Sequence, residues 1–416
     1  MKVNSGGGGA GGTSCAATGM ACPLTTLERP LKGGLLLGTS WFLFIVAFQA
    51  LAQDNEPTVF WQRLEEKGIY ERLWEATRLY ENEDNSVIQA LSIVGRYQGQ
   101  YWNVKAEPGN ADGWENRRFY AGAETVLFHD FTVQAQMKFS EDFNPIYDGL
   151  YVAFVKWATA EAFSLSAGRL DFNYAGLEQT LSSTKIVTFE RGQLANQLWP
   201  GQVVGAVAQG QAAAFSYRAG IFSGSIEEEF TTFAGGFGAV AGLGYKLPLF
   251  YQEGSLHLDY LYNNGNPANN AFQPYSHIVS LWHQGQSGPF GLGVDLTAAH
   301  GIAGNNSVLG LTVLPTYVFW KHVIRKGDAL EAVLRFQYSV SDGDNGLLLQ
   351  QRYEQKVVPG GHGNTYYAGY MGINYLIFGD RLKLMTGGEY SVMKDSALGQ
   401  DSFDGWTYFA GVRLYF

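Results

Sequence analysis

Cysteine is nearly absent from this sequence: Cys15 and Cys22 are the two, and both precede residue 52. Disulfide staples and cysteine-ligated metals are therefore excluded beyond that point. Charge is scarce too, at 16% of residues, and the basic sign is the scarcer, 28 against 38 acidic, a net of −10. That balance excludes the basic footprint of a nucleic-acid binder. Only one apolar run, "GGLLLGTSWFLFIVAFQALAQ", approaches the length of a membrane-crossing helix, and nothing after residue 52 does. No serine, histidine and aspartate share a positional logic, so no enzyme is indicated. "GGGGAGG" at 6–12 lacks the strand and the Lys-Ser/Thr that a phosphate loop needs, and no other cofactor motif is present.

The apolar run follows Arg29 and Lys32 and closes on Ala50-Leu51-Ala52, a small-x-small pattern, so residues 1–52 read as a secretory signal peptide. Its loss removes three bases and one acid and leaves a net of −12. Residues 53–88 read as an acidic, periplasmic helical segment. Within it 57–80, "PTVFWQRLEEKGIYERLWEATRLY", carries an apolar stripe of Phe60, Leu64, Leu73 and Leu79, weakened by Gly68.

Glycine (53 residues) and aromatics (15%) are abundant, and from about Ser92 the apolar period becomes two. "FTVQAQMKF" sets Phe131, Val133, Ala135, Met137 and Phe139 against Thr132, Gln134, Gln136 and Lys138. "LEAVLRFQYSV" sets Leu334, Phe336 and Tyr338 against Arg335, Gln337 and Ser339. Sixteen such segments begin near Ser92, Trp114, Phe131, Asp148, Ala162, Gln202, Ala212, Phe237, Ser255, His277, Phe290, Ser307, Leu330, Thr365, Leu382 and Gly405. Connections alternate in length. "HD", "ATAE", "QGQ" and "GDR" follow even strands. "NVKAEPGNAD", "SEDFNPIY", "SGSIEEEFTTFAGG", "NNGNPANNAFQPY" and "SDGDNGLLLQQRYEQKVVPGGHGN" follow odd ones. An even strand count, one apolar face per strand, and short turns opposite long loops predict an all-β fold: a 16-stranded antiparallel transmembrane β-barrel over 89–416, with a short N-terminal helix. The apolar face would meet outer-membrane lipid and the polar face a lumen. The last strand, "GWTYFAGVRLYF", alternates to Phe416, which suits closure against the first strand and a signal read by the barrel-insertion machinery.

One connection is too long for a hairpin: "GRLDFNYAGLEQTLSSTKIVTFERGQLANQLWPG", Gly168 to Gly201. Gly168, Arg169, Asp171, Gly176-Leu177-Glu178, Ser182-Ser183, Thr188 and Glu190-Arg191, with "RRFYAGAE" (Arg117–Glu124) and the terminal strand, resemble the phosphate-selective porin O/P family. The resemblance implies an outer-membrane porin, a passive channel for small hydrophilic solutes that prefers small inorganic or organic anions. It also implies a homotrimer and an inward-folded constriction loop at about 172–201. The loop departs from the family's basic ladder: Asp171, Glu178 and Glu190 outnumber Lys185 and Arg191.

Strand parity points Arg96, Arg118, Lys138, Arg218, Lys246, Arg335, Lys383 and Arg413 inward, against Glu124, Asp259, Asp295, Glu331 and Glu389. With Arg117, Arg169, Glu178, Lys185, Glu190 and Arg191 these supply the expected pore lining; Arg169, Lys185 and Arg191 are expected at the constriction. Arg169 shares the phase of lipid-facing Leu165 and Ala167, so it needs a place beyond the apolar band or a bulge. His257 and Asp259 read as inward polar residues rather than metal ligands. A non-conducting or ligand-binding barrel, acting as a surface receptor or structural protein, is the competing reading, carried by the long loop at 341–363 with "LLLQQRYEQ".

Overall fold

The computed structural model describes residues 68–416 except 248–251, 273, 303, 350–351 and 396–399. The expected signal peptide, and residues 57–67 of the expected helix, lie outside the described residues. Helix α1 spans Ile69–Glu75 only. The helical reading of 57–80 runs too far, because Arg78–Glu81 forms strand β1. Thr77 Oγ1 donates to Trp74 O at 2.6 Å and Thr77 O accepts from Ile93 N at 2.7 Å, so the chain leaves the helix directly onto a strand edge. Local periodicity favoured helix there; pairing with β2 overrides it.

The strands are β2 (Ile88–Ala106), β3 (Gly109–Leu127), β4 (Phe131–Phe139), β5 (Tyr147–Ala160), β6 (Phe163–Asp171) and β7 (Gln202–Ala212). There follow β8 (Phe215–Ser223), β9 (Phe237–Lys246), β10 (Glu253–Asn263), β11 (Tyr275–Ser287), β12 (Phe290–Gly301), β13 (Val308–Lys321) and β14 (Ala329–Ser341). A two-residue ribbon, β15 (Leu347–Leu348) with β16 (His362–Gly363), sits in the next loop. β17 (Thr365–Leu376), β18 (Leu382–Asp395) and β19 (Gln400–Tyr415) complete the sheet. Neighbours pair antiparallel throughout, and β19 pairs with β2, so β2–β14 and β17–β19 close a ring of sixteen. β19 and β1 occupy one edge of β2 in succession: Tyr415 faces Arg96 and Arg78 faces Ser92.

Alternation sorts the side chains as the sequence predicts. On β14, Leu334, Phe336 and Tyr338 are 40%, 54% and 52% exposed, whereas Arg335, Gln337 and Ser339 are buried. Among the described residues no helix is long and apolar enough to cross a membrane. One predicted loop is absent. "NVKAEPGNAD" is mostly strand, because the alternation continues through Trp102 and Val104, and only Glu107-Pro108 turns the chain. The apolar core lies inside the ring, where loops 172–201 and 342–364 press Phe172, Phe189, Leu198, Leu347 and Tyr353 against the wall.

Candidate functional site

Loop 172–201 leaves the wall after Asp171 and returns at Gln202, its neck closed by Phe172 N donating to Gly201 O at 2.9 Å. Between these points it crosses the lumen. On one side Gly176 N and Leu177 N donate to Asp259 and Asp295, each at 2.9 Å. Gly176 has φ +73°, and an added Cβ would lie 3.0 Å from Trp199 Nε1, so glycine makes this bend. The two amides open the short helix α2 (Leu177–Thr180), and wall carboxylates satisfy its orphan donors. On the other side Arg96 donates to Ser183 Oγ, and Gln98 Nε2 donates to Ser183 O at 2.8 Å. Asp259 is on β10 and Arg96 on β2, eight strands apart in a ring of sixteen. The loop is therefore a chord across a diameter.

Charged side chains fix the chord. Glu190 receives Arg117 Nε at 2.6 Å and Nη2 at 3.0 Å, with Arg118 at 3.6 Å. Arg117 and Arg118 are adjacent yet meet the same carboxylate. The ladder slips between Gln98 and Gly99, leaving Arg117 unpaired in a β-bulge that turns it inward. Burial opposes the Glu190 charge, but the two guanidiniums outweigh it and hold this carboxyl well below the usual range. Arg335 bridges Glu178 at 2.7 Å and Glu389 at 2.6 Å, and donates to Glu190 O at 2.7 Å. Arg413 donates to Phe189 O at 3.0 Å and stands over the Phe189 ring at 5.3 Å. Lys383 Nζ donates to Ile186 O at 2.9 Å and pairs with Asp380. Arg191 binds within the loop itself, donating to Glu178 O at 2.9 Å and Leu181 O at 2.8 Å.

Loop 342–364 adds a second insertion. Tyr353, just before helix α4 (Glu354–Val357), donates to Glu115 at 2.5 Å and reaches Glu190 at 3.1 Å. Burial first, then the Glu190 charge, pushes this phenol well above its ordinary value, so it stays a donor. Arg352 bridges Glu115 and Glu141 at 2.9 and 2.5 Å. α3 (Gln193–Leu198) ties the two loops together: Gln197 Nε2 donates to Gly346 O at 2.7 Å.

The other half of the ring holds open space. A cavity of about 650 Å³ is bordered by Lys156, Glu161, Gln209, Arg218 and His257. One of about 270 Å³, bordered by Arg96, Gln136, Tyr151, Asp171 and Asn173, shares Lys156 and Gln209 with it. Arg218 is paired with Asp259 at 2.6 Å. Lys138 is half-buried opposite Tyr120 and has no ion pair among the described residues; Lys185 is exposed on the loop.

Two expectations need correction. Arg169 does not reach the inner chord: its Nε donates to Leu150 O at 3.0 Å and its Nη1 to Glu229 O at 2.5 Å. It keeps the outward phase of Leu165 and Ala167 and is 1% exposed, capped by loop 224–236 rather than by a constriction. Arg191 does not stand free toward open space; it bolts the loop to itself. Sequence reasoning missed Lys156, which the outward Val155 and Trp157 on either side place inward. It also missed Tyr151, the extra residue of a bulge between Val152 and Leu150, and Tyr353 and Arg352, which carry no periodicity at all.

Neither a protein-family model nor a curated protein matches the chain. Solved structures do. An anion-selective porin from Comamonas acidovorans superposes with a TM-score of 0.53 at 11% identity, covering 78% of this chain and 99% of that one. The fold is that of outer-membrane porins. OmpF of Salmonella typhi, in complex with daunomycin, gives 0.52 at 13% identity over 82% and 100% of the two chains. The outer membrane channel DcaP of Acinetobacter baumannii gives 0.51 at 11% over 81% and 100%. At such identities the likeness is one of porin fold alone.

Proposed function

We propose that the protein is an outer-membrane porin, a passive diffusion channel for small hydrophilic solutes with a weak preference for anions. The half-open lumen carries this reading. The chord and loop 342–364 fill the side next to β14 and β17–β19, while the two cavities that share Lys156 and Gln209 form a polar route beside β4–β9. Low-dielectric walls focus the field of charges along such a route. Arg117, Arg118 and Arg335 are matched by carboxylates of the loop and Arg218 by Asp259 of the wall, so the preference along the route rests on Lys156, Arg96 and exposed Lys185 against Glu161 and Asp171. A phosphate type of selectivity, which the sequence resemblance implies, would need more unpaired cations than this route presents. The trimer belongs to the same resemblance.

The test is planar-bilayer conductance with reversal potentials in a KCl gradient. Ohmic steps with a modest chloride preference are expected, moved toward cations by Lys156→Glu. The competing reading, a non-conducting barrel, is favoured by two loops entering one lumen with their charges satisfied; absence of conductance from correctly folded protein would select it.

A further inference from the structure

The smaller cavity has hydrogen-bonding capacity that the protein leaves unused. Its carboxylate, Asp171, is occupied: Tyr151 Oη donates to it at 2.5 Å, Asn173 Nδ2 at 3.1 Å and Gln202 Nε2 at 2.9 Å. Gln136 and Asn173 border the same space, and their amide oxygens, shielded from solvent, have no donor. Gln136 is only 6% exposed, on the strand opposite the Tyr151 bulge. Buried acceptors of this kind are rare in folded proteins and ask for a partner. Two cations stand beside them. Lys156 makes no ion pair within 4 Å among the described residues, with Glu124 the carboxylate that feels its charge. Arg96 lies over the rings of Tyr151 at 4.8 Å and Tyr120 at 5.4 Å.

A bare anion would answer the cations and leave the acceptors unmatched. A neutral sugar would donate to the acceptors and leave Lys156 without an ion-pair partner. A cation would face Lys156 and Arg96, two positive charges against the single carboxylate of Asp171. We propose that this cavity is a binding site for small hydroxy-carboxylates of the sugar-acid type, the carboxylate on Lys156 and hydroxyl groups donating to Gln136 Oε1 and Asn173 Oδ1. Its volume of about 270 Å³ accommodates a six-carbon acid. The inference rests on reading the lumen as a solute passage, and it names what that passage retains.

Calorimetric titration of the full-length protein folded in detergent tests it with D-gluconate, acetate, D-glucose and inorganic phosphate. Gluconate should bind at least tenfold more tightly than each of the others. Lys156→Gln, Gln136→Leu and Asn173→Ala should each weaken it fivefold or more, whereas Glu227→Gln in the outer loop should not. Three substitutions on three elements keep the test open if one fails to fold. In bilayers gluconate should interrupt the current. A protein that binds gluconate without conducting would sink the porin reading and keep the site. A conducting protein that binds acetate, glucose or phosphate as well as gluconate would overturn the site and keep the porin.

Discussion

Glu190→Gln strips one negative charge from a cluster where Arg117, Arg118 and Arg413 face Glu190 and Glu115. The carboxylate loses two charge-assisted hydrogen bonds from Arg117, at 2.6 and 3.0 Å, and the ion pair to Arg118 at 3.6 Å. Glutamine preserves shape but strands two guanidiniums, and removing one partner of a buried pair costs about 3–5 kcal/mol. Arg117 is 18% exposed and can relax toward water, so the lower end, about 3 kcal/mol, is expected. Urea unfolding of detergent-folded protein, followed by the gel shift between folded and unfolded barrel, measures the difference. The pH dependence is a second arm. Because the folded carboxyl lies below its unfolded value of about 4.3, the wild-type advantage is complete above that pH and disappears only as pH falls through the lower folded value. The variant should therefore lag equally at pH 8 and pH 6 and draw level in acid. Glu141→Gln, whose carboxylate is 50% exposed on Arg352, should cost less than about 1 kcal/mol. Equal stability of Glu190→Gln and wild type at pH 7, or an advantage already lost at pH 6, would refute the assignment of Glu190 as the anchor of the chord.

Leu334→Arg should impair assembly by about 2–4 kcal/mol while Gln134→Arg, on the cavity side of β4, should be tolerated; heat-modifiable gel mobility reports both. Arg169→Gln should leave the reversal potential unmoved and expose loop 224–236 to protease; a large change in ion selectivity would restore Arg169 to the lumen. Tyr353→Phe removes the hydroxyl that joins Glu115 to Glu190, and single-channel records should become noisier as loop 342–364 loosens. Trp74→Ala deletes a 2.5 Å bond to Tyr415 O and the ring packed on Phe378, and should lower stability by about 1–2 kcal/mol, read by the same urea titration.

The wall was legible because a strand whose faces meet different media must alternate, and Phe131 to Lys138 or Leu334 to Ser339 does so without interruption. Each of the sixteen expected strands is present. The inner loop was legible as a motif, and Gly176, Ser183 and Glu190 all prove to be anchors, the first through its left-handed backbone. Illegible positions are those where the period of two breaks. Arg117 and Tyr151 sit on bulges, which shift a side chain to the other face with no mark in composition. Arg169 obeyed its phase, and Leu150 O of the neighbouring strand with Glu229 O of loop 224–236 satisfies this outward arginine. Tyr353 meets Glu190 across 163 residues of sequence, a contact no local pattern encodes.

A ring of sixteen strands is a thin shell, and thin shells ovalise easily under lateral load. The segment from Gly176 to Ser183 acts as a tie-rod, pinned to Asp259 at one end and to Arg96 and Gln98 at the other. Squeezing the cylinder along that direction compresses a packed peptide, and stretching it breaks charged hydrogen bonds. The perpendicular diameter is tied too, because the same loop is rooted in β6 and β7 and Arg335 of β14 holds its Glu178 at 2.7 Å. One insertion thus stiffens the shell along both diameters, and the open space beside β4–β9 should keep its width under bilayer pressure.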